Sequence, residues 1–471
     1  MKKWTALLLA MVLLASFAVL PASAAGVPVV LNGATLSADA QIENGSVFLP
    51  VRTAVEALGY EATYARKDGT QTVTIPTDGG DVVLDLTNQR ITDRGHEYYA
   101  NVPNSPTAAI QLMDGKTTYL ESSLFGQLFA VNSSYDKTKN TVTVQSVPEN
   151  DIEVTNTKTV AQEGLLDLSL QIPQISGLAD AKIQNSINLV LKKAAEGAKD
   201  EGEKNAADLK QSIADGYSGS GRCETDFNYQ VQYNRNGLLS VVLTDYQYAG
   251  GAHGSTVQSS YTFDLATGKE LALTDLMNSS GGYTAYINKQ IRSEIDRRVA
   301  AGNLYEFDPG KFTDIGANPD YYLSDSGVVL YFQQYEYFPY AAGIQEFTIP
   351  YDDLKTMLKP GYAFLYAAPV TLSDTGTTKL TAGQIGTLEL LGNPTTGYAW
   401  QCESSDPSVL VPVGSTYTAS PSDGRVGTGG TYRFDFKALK AGDATITCRY
   451  YRSWEGQETA LRTATYRVTV A

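Results

Sequence analysis

Tyr432-Arg433-Phe434-Asp435-Phe436-Lys437 places a ring at every second position and a charge between each pair, and Tyr466-Arg467-Val468-Thr469-Val470 repeats the alternation. A period of two is the signature of a strand with one buried face. From about Val370 to Ala471 the composition turns to Thr, Gly and Val in short runs of this kind. About 100 such residues predict an all-β sandwich of immunoglobulin-like type. The stretch carries nine basic and nine acidic side chains, so the acidity of the chain lies elsewhere.

The whole chain has 471 residues, 42% hydrophobic and 18% charged, with a net charge of −15. That length exceeds one ordinary core, and that apolar content is too high for a disordered chain, so several domains are expected. Strong net acidity opposes nucleic acid and anionic membrane surfaces, and no nucleic-acid partner is expected. Only two histidines occur, His96 and His253. They leave little room for a metal centre or for repeated His-based catalysis, so neither metal nor cofactor is expected, and no catalytic residues are assigned.

Residues 1–24 read as a signal peptide: Lys2 and Lys3, an apolar run from Thr5 to Leu20, and the small-residue site Ala22-Ser23-Ala24. No second apolar run of spanning length follows, and no Cys follows the first to accept a lipid, so the expected location is secreted or extracellular with wall association. Residues 27–147 contain a doubled pattern. Asn44-Gly45 leads through Val47-Phe48-Leu49-Pro50-Val51-Arg52 to Thr72-Val73-Thr74-Ile75, and Asp114-Gly115 leads through Thr118-Tyr119-Leu120 and Leu124-Phe125 to Thr141-Val142-Thr143-Val144. Each copy reads as hairpin, short helix, strand, an α+β module. Ser146 to Glu153, polar and carrying Pro148, reads as a linker.

Residues 154–358 form the next unit. Ile183, Ile187, Val190 and Leu191 recur at helical spacing, and an Ala/Lys/Glu-rich stretch extends that helix to Ile213. Phe227–Val231 and Leu238–Leu243 flank the Asn236-Gly237 turn as a hairpin. A second amphipathic helix is expected near Tyr283–Val299, with strands at Val328–Tyr335 and Phe347–Ile349, which makes this region α+β. The run Tyr331, Phe332, Tyr335, Tyr337, Phe338, Tyr340 is expected to divide between core and surface.

Two resemblances attach to these regions. VFLPVRTAVEALGY at 47–60 resembles the copper amine oxidase N-terminal-like stalk module of Gram-positive surface proteins, the second copy being degenerate in lacking the Pro and Arg. The name implies no oxidase here, since a copper centre needs a His cluster. YAGGAH at 248–253, YTFDLATGKELALTDLM at 261–277 and YYLSDSGVVLYFQQYEYFPYAAG at 321–343 resemble the extracellular domains of lysozyme-sensing RsiV-type anti-sigma factors and the non-catalytic part of PdaC-type deacetylases. That resemblance implies a ligand-binding envelope module for lysozyme or cell-wall glycan, with His253 as a candidate partner contact. Gly254-Ser255 stand where the family continues Pro-Asn.

The sharpest motifs lie in the loops of residues 370–471. Asn393-Pro394-Thr395-Thr396-Gly397-Tyr398 follows one strand, Val426-Gly427-Thr428-Gly429-Gly430 precedes another, and Arg452-Ser453-Trp454 follows a third. In order and spacing they resemble the NPTTG, GxGG and RPW loops of the chagasin family, secreted inhibitors of papain-like cysteine peptidases. The departure is Ser453 in place of Pro. The resemblance makes Asn393, Pro394, Thr395, Thr396, Gly397, Tyr398, Gly427, Gly429, Gly430, Arg452 and Trp454 the peptidase-binding residues, and a papain-like cysteine peptidase the partner.

Cys402 shares a strand face with Trp400 and Tyr398, and Cys448 is in phase with Ile446 and Tyr450. A Cys402–Cys448 disulfide is therefore expected, worth about 2 to 4 kcal/mol, with Cys223 left free. The sequence thus reads as a secreted, reversible, competitive and non-enzymatic inhibitor of papain-like cysteine peptidases on an envelope-associated scaffold. The alternative is a cell-surface protein that binds or senses lysozyme or peptidoglycan without catalysis.

Overall fold

The computed structural model describes residues 26–471 except 103, 106, 114, 220, 308, 309 and 421–426. The signal-peptide reading of residues 1–24 lies outside them, as do Asp114 and Val426. The chain is multidomain and mostly β, with seven sheets among the described residues and two long helices.

Both N-terminal copies fold as read, with a second hairpin where one final strand was expected. The hairpin Gln41–Glu43/Ser46–Pro50 turns through Asn44 and Gly45, both at positive φ, into the helix Val51–Ala57 and the hairpin Thr63–Lys67/Thr70–Thr77. The second copy runs Ile110–Met113/Thr117–Glu121, helix Ser122–Phe129, Val131–Asp136/Thr141–Ser146. The copies pair with each other, Leu49 opposite Leu120 in an antiparallel ladder. The missing Pro has a local replacement: Glu121 stands where the first copy has Pro50, and its carboxylate accepts the backbone N–H groups of Ser123 and Leu124. An acidic cap satisfies two otherwise orphaned donors and suits the positive helix end.

In the middle region, five strands run in the order Glu153–Glu163, Leu166–Ser176, Cys223–Arg235, Leu238–Tyr248, Ser255–Asp264. The second and third are parallel and are joined by the helix Ala181–Ala214. Asp180 caps that helix, which buries Ile187, Leu191, Ala195 and Ala198 against Leu168, Phe227 and Leu243. The helix Tyr283–Ala300 places Ile287, Ile291 and Ile295 against a three-stranded sheet, Tyr321–Leu323, Gly327–Phe332 and Gln345–Pro350. The strand expected to reach Tyr335 stops at Phe332, because residues 333–336 close a turn: the Glu336 N–H donates to the Gln333 carbonyl (3.2 Å) and the Gln333 N–H to the Glu336 carboxylate (2.9 Å).

The last unit stacks two four-stranded sheets. One contains Val370–Thr371, Ile385–Gly392, Gly430–Ala438 and Leu410–Ala419; the other contains Thr377–Leu380, Arg462–Val470, Gly442–Tyr451 and Ala399–Ser404. Leu388, Trp400, Leu410, Phe436, Ile446 and Val468 fill the space between them. Cys402 and Cys448 sit directly opposite on neighbouring strands, Cα atoms 4.0 Å apart, and are joined. Cys223 is free and buried, and burial pushes its thiol pKa up.

Two expectations fail at the seams between these units. Ser146–Glu153 is no exposed linker. Asn150 is 7% exposed: its amide donates to Asn234 Oδ1 (2.8 Å) and the Leu238 carbonyl (2.7 Å), and its Oδ1 accepts the Gly237 N–H (2.7 Å). Next to it, Glu149 bridges to Ser415 of the sandwich. Burial pushes the Glu149 carboxyl up, against the pull of Arg235 and Arg94. Short polar residues read as a loop by composition, but here the Asn150 side chain ties down a half-buried hairpin turn.

The alternation at 432–437 fails similarly at its end, where Asp435 and Lys437 are buried as well as Phe436. Lys437 Nζ lies 4.2 Å from the Phe364 ring centroid and 3.4 Å from the Asn236 carbonyl. Burial brings its pKa down to about 8. Ile385 and Val413 of the same sheet join the cluster around Tyr351 and Phe364. The outer face of the strand is covered because another unit packs on it, which one-sided patterning cannot register.

At the remaining seam, His96 Nε2 lies 2.8 Å from Asn228 Oδ1 and the imidazole stacks on Tyr229 at 3.8 Å. Burial lowers its pKa from 6.5 to about 4. Between those values the unfolded chain binds a proton that the folded chain refuses, so this contribution is present above pH 6.5 and is lost as pH falls to about 4. It amounts to about 3 kcal/mol at most. The expected result is a stability that declines over this window and a shallower decline in His96→Gln, read by urea melts at each pH; an unchanged slope in the variant would remove His96 from the account.

Candidate functional site

The three sequence motifs meet at one end of the sandwich. In the first loop, Asn393 Oδ1 accepts from the Thr395 N–H (3.1 Å) and hydroxyl (2.7 Å), while the Thr396 hydroxyl donates to the Asn393 carbonyl (2.6 Å). Pro394–Thr396 form one 3-10 turn, which Gly397 ends at φ +80°. Pro fixes the turn's first φ and the Asx and hydroxyl bonds close it, so the loop is shaped before any partner arrives.

Each of the other loops is bonded to the first. Asn393 Nδ2 donates to the Gly427 carbonyl (2.8 Å), and Gly430 pairs with Gly392 at the root of the same hairpin. The Gly429 carbonyl accepts the Ser420 N–H (2.9 Å) across the mouth of that loop. From the third loop, the Arg452 guanidinium lies 4.6 Å over the Tyr398 ring and its Nε donates to the Thr396 carbonyl (3.3 Å). The same Arg pairs with Glu455 at 3.1 Å. Trp454 is 70% exposed, yet its indole rests over Gly397: a Cβ there would lie 2.6 Å from Cη2. Gly397 is thus required both by its left-handed backbone and by the ring above it.

Sequence reading missed the residue that ties this edge together. The Tyr450 hydroxyl accepts the Asn393 N–H (2.8 Å) and donates to the Asn393 carbonyl (3.2 Å), and its ring touches Tyr398 and Trp400. The available signal was its phase with Cys448: an inward Tyr on a core strand needs a partner for its hydroxyl. Burial pushes the nearby Tyr432 hydroxyl up to about 12. The edge therefore offers rigid backbone, one indole and one guanidinium. Among the described residues no group of three His, Cys, Asp or Glu could hold a metal ion.

His253 is not part of this edge. It lies in the loop before Ser255–Asp264, exposed, with Nδ1 2.8 Å from the Gly254 carbonyl and its ring stacked on Tyr340 at 4.1 Å. Among the described residues no helix is long and apolar enough to cross a membrane.

Comparison with known proteins divides the chain in the same sequence. The family model for the copper amine oxidase N-terminal domain matches residues 30–144, deacetylase PdaC 159–256, the DUF3298 family 274–352, and the chagasin family peptidase inhibitor I42 379–470. Amoebiasin-2 of Entamoeba histolytica is 30% identical over 97 residues, 21% of this chain and 79% of its own length. The peptidoglycan-N-acetylmuramic acid deacetylase PdaC of Bacillus subtilis is 26% identical over 148 residues, and the chain spans only 30% of that enzyme's length. A solved cysteine protease inhibitor from Entamoeba histolytica is 30% identical, covering 22% of this chain and 88% of its own, with a TM-score of 0.19. Through the region that carries the three loops, the chain belongs to the chagasin family of peptidase inhibitors.

Proposed function

We propose that the protein is a secreted, reversible and competitive inhibitor of papain-like cysteine peptidases, carried on an envelope-associated scaffold. The observation that carries this reading is the bonded edge: Asn393 holds Gly427, Arg452 holds Thr396, and Trp454 caps Gly397 while staying open to solvent. A papain-like site is a groove around a Cys nucleophile and a His base. The first loop, closed by its own hydroxyls and narrow at Gly397, suits the space over the nucleophile. The second loop and Trp454 suit the two walls. Loops at the end of an immunoglobulin-like sandwich are held by rigid strands and converge in this way. The edge offers the peptidase shape and hydrogen bonds rather than chemistry, so the block is non-covalent.

The test is the full chain titrated against papain. Competitive inhibition raises the apparent KM and leaves kcat unchanged. A peptidase left fully active at micromolar inhibitor would defeat the reading in favour of a surface protein that binds lysozyme or peptidoglycan through its middle region. Secretion has its own test: the mature N-terminus should be found near Ala25, and a chain still carrying Met1 would contradict it.

Ser453 allows an opposite-sign experiment. The Glu455 N–H bonds the Arg452 carbonyl (2.9 Å), so Ser453 is the second residue of a β-turn, the place where Pro is preferred. Ser453→Pro stiffens the free loop, and affinity should hold or rise by a fewfold. A marked loss, measured in the same titration, would mean that the turn must change shape on binding.

A further inference from the structure

Two open sheet edges face one cleft. The cleft holds about 710 Å³, a volume within the range of ligand sites, and lies between the N-terminal unit and the three-stranded sheet of the middle region. Glu346–Ile349 of the strand Gln345–Pro350 line it, as do Val131–Ser133 of the strand Val131–Asp136, and each of these strands is the last in its sheet. Gln290, Ser293 and Arg297 of the helix Tyr283–Ala300 form a further wall.

The phase of each ladder decides which backbone groups the edges present. In an antiparallel pair, bonded and non-bonded positions alternate. The Tyr331 N–H donates to the Asp320 carbonyl (3.4 Å), so Tyr331 turns away from Glu346, its opposite number. Glu346 and Thr348 therefore turn their N–H and C=O groups outward. On the other strand the Ala130 carbonyl accepts the Val147 N–H (2.9 Å), and the Val144 carbonyl, opposite Ser133, accepts the Asn32 N–H (2.9 Å) from the far side. Ser133 thus also turns its backbone groups out of its sheet, and the cleft has main-chain partners on two walls.

One outward position is already filled, and its occupant shows what fits. The Asn104 side-chain amide donates to the Glu346 carbonyl (2.8 Å) and accepts the Glu346 N–H (3.2 Å). A carboxamide that makes both bonds at once reproduces the pairing of a peptide group on a neighbouring strand. Two residues on, Thr348 is exposed, and among the described residues its backbone has no such partner.

The walls set the side-chain chemistry. Arg297 and Arg298 both pair with Glu294, at 2.7 and 2.8 Å, and Asp325 pairs with Arg235 at 2.9 Å. The Glu346 carboxylate accepts from the Tyr322 hydroxyl (2.9 Å) and the Gln258 amide (3.0 Å). The side chains left without a partner among the described residues are neutral, namely Gln290, Ser293, Asn132 and Thr348. A charged ligand would meet no free counter-charge and would lose hydration without return. Because the helix walls the cleft, a single extended strand enters where the edge of a second folded sheet does not. We propose that this cleft binds an extended polypeptide segment with small uncharged side chains, whose main chain adds to the Gln345–Pro350 edge at Thr348.

The cleft shares no residue with the three loops of the sandwich, so the proposal stands apart from the peptidase reading. The test is titration of the full chain with a fluorescent hexapeptide of alternating Thr and Ser, blocked at both ends and read by anisotropy at physiological salt. It should bind with a Kd below about 1 mM. The same peptide N-methylated at every amide should bind at least tenfold more weakly, and versions with Lys or Glu in place of Ser should also be weaker. Thr348→Pro removes an N–H that serves no ladder bond, so it should lower affinity by about tenfold while leaving the melting temperature and papain inhibition close to those of the parent. If that variant melts markedly lower, the N-methylated peptide on the parent chain decides alone. No binding at millimolar concentration, equal binding of the N-methylated peptide, tighter binding of a charged version, or displacement by the β-1,4-linked hexamer of N-acetylglucosamine would each overturn the proposal.

Discussion

Trp454→Ala should weaken inhibition of a papain-like peptidase by about thirtyfold or more, the equivalent of roughly 2 kcal/mol, while the domain melts almost as before. The indole is largely open to solvent, so the fold loses little when it is removed; the complex loses an anchor at the edge of the groove. Gly397→Ala should cost a similar factor by another route. The new Cβ collides with Cη2 and meets a backbone at φ +80°, so the ring is displaced and the first loop distorted. Because both changes act on one contact, Gly397→Ala with Trp454→Ala should cost clearly less than the product of the two factors. Inhibition constants for the four proteins decide the matter: full additivity would separate the loops that the structure joins.

Asn150→Ala should destabilise the middle region by about 3 kcal/mol. The change removes one small amide and takes the side-chain partner from the Gly237 N–H and from the carbonyl of buried Leu238 at a half-buried turn. Hydrogen exchange at the Gly237 amide is the direct readout, with acceleration of about a hundredfold expected. Exchange at the parental rate would show that the turn holds itself.

Much of the fold could be read from the chain, for reasons that differ by element. The long helix announces itself by Ile187 and Leu191 on one face, and the Asn236-Gly237 hairpin by a dipeptide that adopts positive φ at low cost. The convergence of three loops at one edge was legible as three motifs in order, since turns written in Pro, Thr and Gly keep their meaning in isolation. What stayed hidden was whatever depends on a second unit. Asn150 looks like linker polarity, and Lys437 looks like a solvated strand position. Each is defined by a neighbour more than 80 residues distant along the chain. The five-stranded meander from Thr63 to Tyr99 runs on beyond the doubled pattern, which ends at Ile75 in the first copy, so the repeat carries no mark of its last three strands.

The strand Ile385–Gly392 begins in the cluster that joins the sandwich to Phe364 and ends beside the first loop. Seven residue steps separate those ends, roughly 23 Å. The three loops are therefore the tip of a bracket whose foot is bolted down through Lys437, Ile385 and Val413, not a bead on a string. A peptidase seated there takes on the bracket's orientation and its address. Two guests on this protein would be separated by a fixed vector, so whether they assist or exclude each other is decided by their sizes and not by the length of a tether.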